Sequence, residues 1–205
     1  IFLVLLPALF YFFLEFREMP MESRILASLF TAVTPRTAGF NTVDFSKFSD
    51  SGIFLQILLM LVGAAPGSTG GGMKMTTMTV LFLTSVAIFR NNSRTEAFGR
   101  TIPGEVIRNA TTIAFMYISL CVLSGMFISL HEHLPLLTTC FETASAIATV
   151  GLTLGITPKL SPVSHLLLIF LMYIGRVGGL CLIYAVFPNI NPNKGRLVEE
   201  NVIVG

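Results

Sequence analysis

The apolar residues of this 205-residue chain gather into long runs separated by short polar stretches, and the run lengths carry the first reading. A bilayer hydrocarbon core of about 30 Å takes about 20 helical residues to cross. Ile1 to Phe16 reads as part of one such helix, and 17–24, with Arg17, Glu18, Glu22 and Arg24 around Pro20, as a wet turn. Residues 25–34 (ILASLFTAVT) are apolar but too short to span, and they end at Thr34-Pro35. They predict a re-entrant half-helix, because non-helical backbone at membrane depth survives only where it is buried or lines water. A polar, glycine-containing stretch follows, TPRTAGFNTVDFSKFSD. The next apolar segment, Gly52 to Phe89, would measure about 57 Å as one straight helix, well beyond a membrane. It is interrupted by GAAPGSTGGGMK at 63–74, where Pro66 and five glycines exclude an undisturbed helix. Half-helices are expected on either side.

A basic loop at 90–108 then carries Arg90, Arg94, Arg100 and Arg108 against Glu96 and Glu105, which places it in the cytoplasm. A span is expected over 109–130, followed by the turn HEHLP and a second non-spanning stretch, LLTTCFETASAIATV. The loop GLTLGITPKLSP and a last span over 163–187 complete the apolar pattern, with a cytoplasmic tail at 188–205. The expected organisation is a first unit at 1–89, the loop 90–108, a second unit at 109–187, and the tail.

Composition sharpens this picture. Residues are 53% hydrophobic and 12% charged, about half the charged fraction of an ordinary soluble domain. A net charge of +2 spread along the chain gives nucleic acid no electrostatic footprint. Cys121, Cys140 and Cys181 are scattered within or beside apolar segments and read as small buried hydrophobes, not a disulfide or metal set. The chain opens inside an apolar run with no Met and no basic n-region, so the opening is not a signal peptide and reads as a cut within a span. No Ser/His/Asp or Cys/His set stands in a catalytic context, so no enzyme is expected.

Sliding the chain by 112 residues without a gap pairs Thr31 with Thr143, Ala32 with Ala144, Thr37 with Thr149 and Gly39 with Gly151. The same register pairs Leu59 with Leu171, Met60 with Met172, Gly63 with Gly175 and Gly67 with Gly179. Apolar low complexity matches Leu and Ala easily, but not the threonines and glycines. Each copy reads as span, re-entrant helix, Thr-x-Gly loop, span. Such a loop suits a dehydrated cation, whose water shell can be replaced by backbone carbonyls. Glycine gives the loop its dihedral freedom, and the half-helix before it turns its partially negative end toward the ion. The candidate loops are Thr37-Ala38-Gly39-Phe40 and Thr149-Val150-Gly151-Leu152, and neither holds a carboxylate.

TPRTAGFNT (34–42), GAAPGSTGGGMKMTT (63–77), FETASAIATVGLTLGITPKLS (141–161), YIGRVGGL (173–180) and the ending VEENVIVG resemble the Trk/Ktr/HKT superfamily of potassium transporters. The likeness is greatest to the membrane subunit of the bacterial Ktr type. It implies an all-helical integral membrane protein with span–pore helix–span repeats around one pore, of which these are the third and fourth of four. It implies filter glycines at Gly39 and Gly151, with potassium held by carbonyls of Thr37, Ala38, Thr149 and Val150. The loop containing Gly63, Pro66, Gly67, Ser68, Thr69, Gly70, Gly71, Gly72 and Lys74 would be an intramembrane gate, with Arg176 beneath the filter. Further implications are a bacterial plasma membrane location, passive potassium uptake, sodium as a modulator, a homodimer, and a cytoplasmic nucleotide-binding regulatory ring of the KtrA/TrkA type. The basic loop and the tail would dock it.

Blander readings stand beside these. GSTGGGMK looks like a phosphate loop but lacks the required Gly-Lys-Ser/Thr. Gly63-x-x-x-Gly67 and Gly175-x-x-x-Gly179 fit helix-packing glycines as well as a gate. Arg176 in mid-span points to a cavity or partner, since an ionisable group there costs several kcal/mol. Arg36 reads as a structural restraint on its loop, His131 and His133 as a solvated turn. Glu142 is expected to open the second pore helix, suiting its dipole. A two-span tetrameric cation channel subunit and a non-transporting membrane scaffold are the rival functions.

Overall fold

The computed structural model describes residues 2–178 other than Ala64, Pro66, Thr69, Ser93 and Phe98. The expected gate residues Pro66 and Thr69, together with Gly179, Cys181, the far part of the last expected span and the tail 188–205, lie outside the described residues.

Helix α1 (Phe2–Phe10) continues as a π-helical turn at Tyr11–Glu15. Pro7 sits inside α1 and has no amide to donate to the Leu3 carbonyl one turn back. Arg36 supplies the missing donor from another element, its Nη2 lying 3.1 Å from that carbonyl. The Nε and Nη1 of Arg36 are buried with no partner among the described residues. Arg36 thus holds its loop against α1.

Helix α2 (Met21–Val33) begins four residues earlier than expected, so the wet turn is confined to the stretch before Pro20. Proline fits the N-cap, where no amide is needed, and Glu22 in the first turn suits the helix dipole. Arg24, expected in the turn, instead donates through Nε to the Phe12 carbonyl at 2.7 Å and lies 4.1 Å over the Phe12 ring. After a 3₁₀ turn at Phe45–Lys47, helix α3 (Asp50–Leu61) is capped by Ser49, whose side chain accepts from the Gly52 amide at 3.1 Å. Helix α4 (Met75–Phe89) starts only after the glycine-rich interruption.

Between α4 and the next helix, the basic loop holds a short antiparallel pair, β1 (Glu96–Ala97) and β2 (Arg100–Thr101), that hydropathy did not announce. Helix α5 (Gly104–Glu132) begins five residues before the expected span. Its 29 residues extend about 43 Å. It is the one helix among the described residues long and apolar enough to cross a membrane. Helix α6 (Leu136–Ile147), a 3₁₀ turn at Thr157–Lys159 and helix α7 (Pro162–Val177) follow, with Ser161 capping α7.

Helix α6 is the centre of the molecule, packed by α3, α5 and α7, with eight of its twelve residues buried. Helix α2, its counterpart in the 112-residue register, leans on α1 and buries only Ser28, Thr31 and Ala32. The main core joins Ile53, Met60, Tyr117, Ile128, Phe141, Ile147 and Leu171, and a smaller one gathers around Tyr11, Phe16 and Leu59. Aromatic rings link the two: Phe16 meets Phe48 at 5.6 Å, Phe48 meets Phe45 at 5.0 Å, and Phe45 meets Phe141 at 6.1 Å. Large apolar side chains such as Phe115, Leu123, Leu130 and Leu166 point outward, an apolar surface suited to lipid rather than water.

Candidate functional site

The two short apolar helices end in an unusual way, and a left-handed threonine recurs 112 residues apart. Helix α6 stops at Ile147, and Thr149 turns into the left-handed region at φ 53°. The Thr149 amide donates to the Ala146 carbonyl at 3.0 Å and the Val150 amide to the Ser145 carbonyl at 2.9 Å. These are the paired bonds of a Schellman termination, whose left-handed position usually holds glycine. A β-branched residue there is a steric outlier. Past the end of α2, Thr37 is left-handed too, at φ 61°, but without the paired Schellman bonds: the amides of Ala38 and Gly39 both donate to the Thr34 carbonyl, at 3.2 and 3.3 Å. Gly39 and Gly151 are left-handed again, at φ 71° and 88°, while Ala38 and Val150 between them are not. The hand of the backbone therefore alternates through both candidate loops.

The loops also touch. A Cβ added to Gly39 would fall 2.2 Å from the Val150 carbonyl oxygen, so only glycine permits this approach. Phe40 is exposed, and its carbonyl accepts from Thr34 Oγ1 at 2.6 Å; Leu152 is buried.

The interrupted helix meets the second loop directly. The Gly71 amide donates to Thr149 Oγ1 at 3.1 Å, and a Cβ on Gly71 would lie 2.3 Å from that oxygen. Gly72 sits against Ala148. The neck of the interruption is pinched where the Gly63 amide donates to the Met73 carbonyl at 2.7 Å and Val62 bridges to Met73. Inside it, the Ser68 amide donates to the Ala65 carbonyl and the Gly70 amide to Ser68 Oγ at 3.0 Å. Gly67 takes φ 86°, and Lys74 caps α4 with its side chain exposed. Gly175 in α7 presses on the end of α6, its added Cβ falling 1.8 Å from the Ile147 carbonyl oxygen. Arg176 follows it in the last turn of α7, exposed.

Glu142 departs from expectation. It is the seventh residue of α6, not its opening, and a helix dipole acts only within the first turn. The side chain is buried, and its carboxylate accepts from Thr153 Oγ1 at 2.6 Å, the Leu154 amide at 2.9 Å and Thr157 Oγ1 at 2.7 Å. The two hydroxyls spaced after Gly151, Thr153 and Thr157, were the available sequence signal. Glu142, Thr149, Gly151, Thr157 and His165 border a cavity of about 490 Å³. His131 stacks on Phe127 with ring centroids 6.0 Å apart, and His133 adopts the left-handed conformation that ends α5. Among the described residues no three His, Cys, Asp or Glu side chains gather as metal ligands.

A family model described as TrkH, cation transport protein, matches residues 9–193. The chain belongs to the TrkH family. Within it the chain is 39% identical over 188 residues to the potassium/sodium uptake protein NtpJ of Enterococcus hirae, covering 89% of this chain and 42% of that protein. It is 35% identical over 188 residues to the Ktr system potassium uptake protein B of Bacillus subtilis, covering 92% of this chain and 42% of the relative. The resemblance read from the motifs is thus a family relationship, on the Ktr side of the superfamily. This chain spans less than half the length of these relatives. Its fold matches the potassium transporter TrkH from Vibrio parahaemolyticus with a TM-score of 0.79 at 21% identity, over 91% of this chain and 43% of that one. TrkH relatives are ion transporters, not enzymes.

Proposed function

We propose that this chain supplies two pore-loop units of a potassium uptake protein, with Thr37–Phe40 and Thr149–Leu152 as adjacent parts of one selectivity filter. The observation that carries this reading is the alternation of backbone hand through both Thr-x-Gly segments. Residues of alternating hand aim like groups of successive peptides the same way. The amides of Ala38, Gly39, Thr149 and Val150 are drawn back to Thr34, Ala146 and Ser145, so in those peptides the carbonyls of Thr37, Ala38 and Thr149 are the groups left for an ion. Carbonyl oxygens bind a dehydrated monovalent cation and not an anion. Flux is passive, drawn inward at about 2.3 kcal/mol per charge per 100 mV.

The glycine-rich interruption is the gate in this reading. Its contact with Thr149 supports this role, as does the position of Arg176 next to the Gly175 contact at the end of α6. The relatives named as potassium uptake proteins of a Ktr system support a bacterial plasma membrane location. A homodimer on a nucleotide-binding ring of the KtrA/TrkA type, docked through the basic loop and the tail, completes the proposal, with sodium as a modulator. A scaffold would have no use for strained threonines in two loops. A two-span tetrameric channel would not carry an interruption in one repeat alone.

The test is growth of a potassium-uptake-deficient bacterium on limiting potassium. The full-length gene should rescue it, and removing 64–72 should raise flux. A protein that reaches the membrane and gives no rescue defeats the uptake reading. A folded but inactive loop deletion defeats the gate.

A further inference from the structure

We infer that Glu142 is a positioning residue for the second filter loop, a buried carboxylate strut that fixes the strand leaving Gly151 and with it the loop's discrimination among monovalent cations. This inference rests on the uptake reading above.

The strand after Gly151 leaves the filter and must be held, or the carbonyl spacing set by Thr149 and Val150 will drift. Glu142 faces it from the middle of α6, the most buried helix among the described residues. Both carboxylate oxygens are used: Oε1 takes the Thr153 hydroxyl and the Leu154 amide, and Oε2 takes the Thr157 hydroxyl. Hydrogen bonds to a charged acceptor are about twice as strong as neutral ones. Thr153 Oγ1 then contacts Thr157 Oγ1 at 3.0 Å, and the Gly155 amide donates to Thr153 Oγ1 at 2.9 Å, so the whole outgoing turn closes on one carboxylate. A buried carboxylate is costly unless it is so bonded, and an apolar residue would pack this position at less cost.

The first repeat shows what the loop looks like without the strut. In the 112-residue register Phe30 takes the place of Glu142, partly exposed, and Asn41 and Thr42 take the places of Thr153 and Leu154, also exposed. There the brace is Thr34 Oγ1 on the Phe40 carbonyl, a bond that Ala146 at the matching position of the second repeat does not make. The two filter quarters are therefore held by different means, one neutral and local, the other charged and reaching 11 to 15 residues along the chain.

The experiment uses full-length protein carrying Glu142→Ala or Glu142→Gln, with Glu132→Ala as a variant that cuts a carboxylate brace away from the filter. Hydrogen exchange of the purified proteins over 151–157 reads the strut whether or not ions move. Glu142→Ala should speed exchange there at least about tenfold, and Glu132→Ala should leave it near wild type. Competition of sodium against rubidium uptake reads the consequence. Glu142→Ala should lose about tenfold in discrimination, and Glu142→Gln, which keeps one acceptor oxygen, about threefold or less. Unchanged exchange in Glu142→Ala overturns the strut. Faster exchange with unaltered ion competition overturns its role in selectivity. A wild type that takes up no rubidium defeats the uptake reading instead, and the exchange result still decides the strut.

Discussion

The amide of Gly71 donates to the side-chain oxygen of Thr149 at 3.1 Å, so the glycine-rich interruption between α3 and α4 is fastened to the Thr149–Leu152 loop at the end of α6. That bond explains why a β-branched residue occupies the left-handed end of α6, where glycine would be easier: the strained backbone is kept because its hydroxyl is used. Thr149→Val keeps the shape and removes the acceptor, leaving the Gly71 amide unpaired at a cost of about 1–3 kcal/mol. Rubidium uptake by cells carrying the full-length Thr149→Val protein should exceed wild type, while Thr149→Ser should match it. Equal uptake by all three would show that this bond does not hold the loop.

Gly39 and Gly151 share a conformation but not surroundings. Both have positive φ, so alanine strains either one by about 1–2 kcal/mol. At Gly39 the new methyl would also strike the Val150 carbonyl, whereas at Gly151 nothing lies within 4 Å. Gly39→Ala should therefore reduce potassium uptake far more than Gly151→Ala. The half-saturating potassium concentration of each variant measures the ranking, and the reverse order would contradict the side-by-side placement of the loops.

Gly175 is where α7 meets the end of α6. A methyl there would overlap the Ile147 carbonyl, and overpacking of this kind costs about 1–3 kcal/mol or forces the helices apart. Gly175→Ala should lower the thermal midpoint of detergent-purified full-length protein, whereas Gly155→Ala, strained only by its φ of 86° on an open loop where the new methyl meets nothing within 4 Å, should lower it less. A pair of equal melting curves would refute the contact.

The carboxylates at the ends of the opening helices brace the second helices. Glu15 accepts from the Ser49 amide at 3.2 Å and from its hydroxyl; Glu132 accepts from the Ser161 amide at 2.9 Å and the Ser164 hydroxyl at 2.6 Å. Glu15→Ala and Glu132→Ala should each lower stability modestly, since each removes an acceptor from a helix-capping serine. Melting experiments should show the loss, with the potassium-to-sodium ratio unchanged. A shifted ratio would place these residues in the ion path.

Run lengths and the 112-residue register made the helices legible, since hydrophobic burial dictates both. The interruption between Leu61 and Met75 was legible because proline and glycine act locally. Helix starts were less so: α2 and α5 begin at Met21 and Gly104, because a proline N-cap extends a helix into residues whose charge suggests a loop. The hairpin at Glu96–Thr101 had no period to reveal it. Glu142 was misplaced for a different reason. Its role depends on hydroxyls that a turn brings back to it, and no helical spacing encodes a partner 15 residues away.

The two carboxylate braces join the same structural points across different chain distances, Glu15 to Ser49 over 34 positions and Glu132 to Ser161 over 29. The 112-residue register that relates α2 to α6 and α3 to α7 therefore does not govern the approach to α2 and α6. Length there is free currency for evolution and for the experimenter alike. The stretch between Phe16 and Pro20 is the place to graft an epitope or a fluorophore tag, because extra residues can bulge into solvent while both ends stay anchored.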